Sequence, residues 1–300
     1  MEFKPYNKRY QKQVIELLNF CFHEKKITEE SFVWRHFDSF FKNKTVSMIV
    51  VDGKTVCSFV CFTPLIVAKG ELTLKNFYSC AVQATHPDYR RQGLVSRITQ
   101  QIEKKLGKNT EYIGFSNNSG VKIDRHSKKI NYKIVGQMAS QHIVSFPYKT
   151  NLQIKKSNGI FTKKYDYAGF CGILKNSSYL NWRYTRYTKK KYLYFRILEN
   201  KKTIGYLVCK ESKVRFEIID LLLKKVSVSV CKQALKSFAN YSLIHGKTMI
   251  SLSYLENQFW TDRLPTLSNK KKLPIYFTIK TKDKKLQNVE NWIIQAGDIQ

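Results

Sequence analysis

The stretch "ATHPDYRRQGLVSR", residues 84–97, decides how the chain is read. A proline opens a turn, two arginines follow, and one glycine precedes residues spaced as a helix. A helix N-terminus presents N–H groups with no intrahelical partner and the positive end of the helix dipole. Glycine in the lead-in lets a ligand approach the main chain, and arginine suits phosphate. Arg90, Arg91, Gln92 and Gly93, with Leu94, Val95 and Ser96 after them, therefore read as an anion site fitted to a diphosphate. The competing reading leaves Arg90 and Arg91 as a solvated pair at a helix start.

The flanks agree with a strand–loop–helix unit. Residues 72–85 predict a long strand. Leu94, Ile98, Ile102 and Leu106 recur at helical steps and predict a helix over about 94–106. Residues 110–116 and 132–146 predict further strands. Upstream, Tyr10, Val14, Leu17, Leu18 and Cys21 predict a helix within 7–22. A second helix is expected at 29–37, with Thr28 as its N-cap. Residues 45–51 and 55–67 read as strands joined by an Asp-Gly turn.

After a polar stretch at 149–159 the pattern returns. "FVWRHF" (32–37) is answered by "LNWRYT" (180–185), and "VDGKTVCSFVC" (51–61) by "ENKKTIGYLVC" (199–209). Trp34 and Trp182, like Lys54 and Lys202, stand 148 residues apart. Two matches at one spacing favour a duplicated unit: residues 1–148, a linker at 149–159, and residues 160–300. The second copy continues as strand (216–223), helix (227–244), strand (247–253), helix (255–263) and strand (274–280). At the place of the arginine–glycine loop it has "LLLKKVSVSV", with neither glycine nor arginine.

The first copy resembles the GNAT N-acetyltransferase superfamily. "THPDYRRQGLVSRITQQIEKKL" is similar to the family's Pro-x-x-Arg-x-x-Gly signature. In the Gln/Arg-x-x-Gly-x-Gly/Ala pattern Arg90 and Gly93 match, and Val95 departs where a small residue is usual. "KKINYKIVGQ" (128–137) resembles the family's Gly-Phe stretch, with Asn131 and Tyr132 in those places. The resemblance covers residues 1–147 well and 160–300 weakly. It implies a mixed, mostly antiparallel α/β (α+β) sheet flanked by helices, and acetyl-CoA as co-substrate. It further implies a pyrophosphate held by the loop from Arg90 to Ser96, a pantetheine arm along Ala84 and Thr85, and coenzyme contacts from Asn117 and Asn118. The acceptor would be a primary amine on a small molecule, sugar or peptide.

The catalytic groups are less legible. Relatives often carry a carboxylate base on the strand before the loop, but residues 72–86 contain none. His86 is the nearest titratable group, and it also reads as a turn residue. The usual tyrosine acid falls at Ser127, beside His126. His126, Ser127 and His86 are thus weak candidates, with Tyr112 and Tyr132 as other possible acids.

Composition bounds the rest. Nineteen Phe and 18 Tyr spread through 300 residues argue for a folded chain. No run reaches the length of a membrane helix, and no secretory leader is evident. The seven cysteines are scattered, without zinc spacing, and read as reduced core residues of a cytoplasmic protein; no metal is expected. A net charge of +31 favours an anionic acceptor, with nucleic acid as a less favoured partner. Lysine-rich stretches at 188–192, 268–273 and 280–286 place any basic face in the second half. Two rivals stand: a Fem-type aminoacyl-tRNA-dependent transferase, and a non-catalytic binding module on the same scaffold.

Overall fold

The computed structural model describes residues 1–23, 26–38, 44–118, 120, 132–160, 169–186, 191–257, 259 and 268–298. The first half begins with strand β1 (Glu2–Pro5), helix α1 (Gln11–Cys21) and helix α2 (Glu29–His36). It continues through β2 (Val46–Asp52), β3 (Thr55–Lys69), β4 (Leu72–Thr85), α3 (Leu94–Leu106), β5 (Glu111–Asn117) and β6 (Lys133–Val144). The second half holds β7 (Gln153–Ser157), β8 (Cys171–Ile173), α4 (Ser177–Leu180, running on as a π-turn to Thr185), β9 (Leu193–Glu199) and β10 (Lys202–Glu211). It ends with β11 (Arg215–Leu223), α5 (Val228–Ile244), β12 (Met249–Leu255) and β13 (Ser268–Lys280).

Local chemistry explains the elements that place the site. The Thr28 and Ser31 hydroxyls form a reciprocal capping box at the start of α2. Leu94, Ile98 and Ile102 give α3 one buried stripe, as their spacing predicts. Val56 to Leu65 of β3 is continuously buried because helices cover both faces. The helices α1 and α2 pack over Ile49, Val51, Phe59 and Cys61 on one face. On the other, α3 packs over Met48, Val50, Cys57, Val60 and Phe62. His36 is buried on α2, and burial pushes it down to about 3, so its ring stays neutral.

Among the described residues all strands but β8 join one path in the order β1-β2-β3-β4-β5-β13-β6-β12-β11-β10-β9-β7, while β8 pairs with β3. The halves exchange strands at the centre. The last strand, β13, lies against β5 of the first half, and β6 lies against β12 of the second. Trp34 and Trp182 mark the internal symmetry. Each indole Nε1 donates to the other's backbone carbonyl, at 3.0 and 3.2 Å, with ring centroids 5.5 Å apart.

Two expectations change, and a third is not tested. The stretch at 149–159 is not only a connector, because it contains β7, which pairs with β9 as β1 pairs with β2. Ladder bonds, rather than sequence polarity, recruit it. The last strand starts at Ser268 instead of 274: the lysine-rich start pairs with β6, and Lys270 and Lys272 are both ion-paired with Glu256. The helix expected at 255–263 falls largely outside the described residues.

Candidate acyl-carrier slot

The strands β4 and β5 run parallel, but pair only at Phe77–Glu111, Tyr78–Tyr112 and Ser79–Ile113. Beyond Ser79 they part, although β4 continues to Thr85 and β5 to Asn117. Six residues of β4 thus line an opening about 20 Å long. Its floor is the Ser79–Ile113 pair, and its mouth is the loop before α3.

That loop is built from the main chain outward. The amide of His86 donates to the Cys57 carbonyl at 2.9 Å, and Pro87–Tyr89 forms a single 3-10 turn. The Tyr89 hydroxyl donates to Asp52 at 3.2 Å, tying the turn to the β2–β3 hairpin. Arg91 and Gly93 both take positive φ, 66° and 68°. Gly93 is the N-cap of α3 and supplies no side-chain cap, so the first-turn amides of Leu94, Val95 and Ser96 face out of the helix end. A Cβ built on Gly93 meets nothing within 4 Å, so the space before the amides is open. Arg91 and Gln92 are exposed beside it, while Arg90 turns back so that its Nε donates to the Thr85 carbonyl at 3.3 Å. The residues fit a diphosphate: outward amides, an added cation and an unobstructed approach.

The other expected residues are placed as follows. His86 stacks on Phe20 of α1 with centroids 4.9 Å apart, and its Nδ1 lies 3.5 Å from Asp88. It packs the end of α1 against the end of β4. The Ala84 carbonyl accepts from the Ser58 hydroxyl of β3 at 3.0 Å. Asn117 accepts from the Gly120 amide at 2.9 Å, and Asn118 is exposed next to it. His126 and Ser127 lie outside the described residues. The rings of Tyr112 and Tyr132 stand 6.0 Å apart; Tyr112 lies within the paired stretch just before the strands part, and burial raises its hydroxyl pKa well above the usual range. Among the described residues no group could hold a metal ion, and no helix is long and apolar enough to cross a membrane.

The second half repeats the parting of strands. β11 and β12 pair in parallel from Arg215–Met249 to Ile218–Leu252 and then separate. Here the gap is filled by the chain itself, through residues 292–298. The α5 helix is capped by the Ser227 side chain, which accepts from Val230 N, so one outward amide is already taken.

A mixed sheet with its fourth and fifth strands splayed beside an uncapped, glycine-led helix is diagnostic in combination. The chain is a GNAT-fold protein. Residues 2–116 match the model of the acetyltransferase (GNAT) domain. A conserved protein of Enterococcus faecalis V583, described as a probable N-acyltransferase, superposes with a TM-score of 0.70 at 17% identity. The alignment covers 93% of this chain and 71% of that one. A GCN5-related N-acetyltransferase from Anabaena variabilis superposes at 0.64 and 13% identity, over 93% and 72% of the two chains. A tandem GNAT protein from the clavulanic acid biosynthesis pathway reaches 0.56 at 10% identity, over 93% and 98%. At these identities the likeness establishes the GNAT fold. No curated protein matches the sequence.

The sequence missed one buried cluster. Lys175 reaches Asp220 at 2.6 Å and Asp298 at 2.9 Å, and Tyr184 donates to Asp220, all in the interior. Asp220 inside the apolar run "FEIIDLLL" was the available signal, because a buried carboxylate requires a cation.

Proposed function

We propose that the chain is an acyl-CoA-dependent N-acyltransferase working from its first half, moving an acetyl group from acetyl-CoA to a primary amine. The observation that carries this is the open β4–β5 slot ending at outward amides of α3. In this reading the amides of Leu94, Val95 and Ser96, with Arg91, hold the pyrophosphate; charge-assisted bonds of this kind contribute roughly 1.5–3 kcal/mol each. The main-chain groups near the end of β4 hold the pantetheine arm as an added strand would, with the Arg90 side chain moving off the Thr85 carbonyl it now occupies. Acetyl-CoA supplies an activated thioester, and the slot keeps it away from bulk water.

The amine must lose a proton, since an alkylammonium titrates near ~10. No carboxylate lies on β4, so proton removal falls to solvent or to a group near the mouth, with His86, which directly follows the strand, as the candidate. His126 and Ser127 remain candidates on the family pattern alone. The acceptor is read as anionic from the net charge of +31. Part of that charge is already engaged, as Lys280 pairs with Glu103 and Lys69 with Asp283. None of the seven cysteines is in a disulfide, which suits a reducing, cytoplasmic setting.

A thermal-shift comparison with acetyl-CoA, coenzyme A and bulk tRNA tests the reading. Stabilisation by acetyl-CoA and coenzyme A, with none by tRNA beyond a salt-sensitive background, is expected. Stabilisation by tRNA alone would favour the aminoacyl-tRNA-dependent alternative, which the charge and the altered second loop support. No response to either coenzyme form would remove the acyltransferase reading.

A further inference from the structure

The chain after β13 returns across the second half. Trp292 is fully buried and its Nε1 donates to the Leu286 carbonyl at 2.8 Å. The Ile293 amide donates to the Cys171 carbonyl at 2.8 Å, and the Leu255 amide of β12 to the Ile294 carbonyl at 3.0 Å. Gln295 then places its carboxamide against β11. Its Oε1 accepts from the Leu221 amide at 2.7 Å, and its Nε2 donates to the Leu221 carbonyl at 3.0 Å. One side-chain amide satisfies both polar groups of one strand residue.

Leu221 occupies a defined place in the internal symmetry. It lies two residues before Leu223, which pairs with Gly205 of β10; Gln83 lies two residues before Thr85, which pairs with Ser58 of β3. Both frames start the parallel pairing eight residues earlier, at Arg215 and Phe77. The main-chain groups that Gln295 engages thus correspond to those of Gln83 in the open slot. By strand alternation Gln83 and Thr85, and not Ala84, turn their N–H and C=O into that slot. This agrees with the Ala84 carbonyl facing Ser58.

We infer that the space between β11 and β12 is a ligand site for an extended amide, and that its ligand is this chain's own segment 292–298. The Gln295 carboxamide takes the position of a carrier arm's amide. The comparison with a carrier arm rests on the function proposed above; the occupation by Gln295 does not. The segment is held from both sides of β11. Leu221 grips Gln295, and the preceding Asp220 binds Lys175, which also binds Asp298. Asp298 in turn accepts from the Gln295 amide at 2.8 Å, closing the loop. An unfilled gap here would leave the Leu221 groups buried and unpaired, which is costly. The second half therefore keeps the shape of a carrier slot while being closed to a carrier in solution.

Hydrogen exchange read by mass spectrometry on the intact chain tests this. In the wild type, peptides spanning 219–223 should be strongly protected, with no response to millimolar pantetheine. Gln295→Met keeps the side chain's length and bulk but removes donor and acceptor. Exchange at 219–223 should then rise roughly ten-fold or more, the factor that corresponds to a lost bond of about 1.4 kcal/mol. In Gln295→Gly, which also vacates the side chain's space, added pantetheine should slow exchange again, as it does not in the wild type. Unchanged exchange in Gln295→Met would overturn the assignment of Gln295 as the ligand. Faster exchange in Gln295→Gly that pantetheine does not reverse would overturn the carrier-like character of the site. If Gln295→Met loses protection throughout the chain, the same reading is taken from Gln295→Asn, whose shorter amide should raise exchange locally. Peptides spanning 83–96, followed with acetyl-CoA in the same samples, report separately on the proposed function.

Discussion

Gly93→Glu should abolish acetyl-CoA binding while leaving the chain folded. Gly93 sits at φ 68° as the N-cap of α3, directly before the outward amides. A glutamate there does two things. It forces a side chain into a left-handed backbone position, at a cost of roughly 1–2 kcal/mol. It also puts a carboxylate where a diphosphate is to lie, replacing attraction by repulsion. Loss of two charge-assisted bonds of ~1.5–3 kcal/mol each corresponds to a hundred-fold or greater fall in affinity. The position has open space around it, so no core contact is broken. Gly93→Ala separates the two effects: it carries the backbone strain without the charge, and should weaken binding by much less. Calorimetry on both variants, with circular dichroism to verify folding, reads the outcome. Equal affinity in Gly93→Glu and the wild type would remove the loop from the coenzyme site.

The largest stability loss is expected at Lys175. Its ammonium is buried between Asp220 and Asp298, whose side chains are equally inaccessible. Burial lifts the Asp298 carboxyl to about 6, against the pull of Lys175, so the cation keeps that group charged. Lys175→Met retains the length of the side chain and leaves two carboxylates with no cation. Breaking such a pair by removing one partner costs about 3–5 kcal/mol. At ~2–4 °C per kcal/mol for a large domain, Tm should fall by roughly 6–20 °C. Asp220→Asn should cost less, because Lys175 keeps Asp298 and Tyr184 keeps a hydrogen-bond acceptor. A Tm within about 2 °C of wild type for Lys175→Met would mean that the cluster contributes little.

The first half was legible because its cues are local. The four-residue steps of Leu94, Ile98, Ile102 and Leu106 gave α3 its limits, Thr28 marked the start of α2, and Asp52-Gly53 marked the hairpin. The arginine–glycine loop announced itself through residue types that serve a turn and an anion better than a core. What stayed hidden was long-range. Nothing near Gln295 in sequence points to Leu221, 74 residues away, and no local pattern reports that β6 and β13 are exchanged between halves. The strand β7 was hidden for a different reason. As a polar edge strand, with Lys155 and Lys156 exposed, it lacks the apolar alternation by which a strand is recognised. Which main-chain groups of β4 turn toward the gap was not readable either. Strand direction is readable from sequence, but which phase faces a gap depends on the register of pairing with β3.

The central claim is that two similar halves carry one usable carrier slot. Calorimetric titration of the intact chain with acetyl-CoA tests it most directly. The account predicts saturation at one equivalent per chain, lost entirely in Gly93→Glu and retained in Gln295→Met. Saturation at two equivalents, or binding that survives Gly93→Glu, would contradict it.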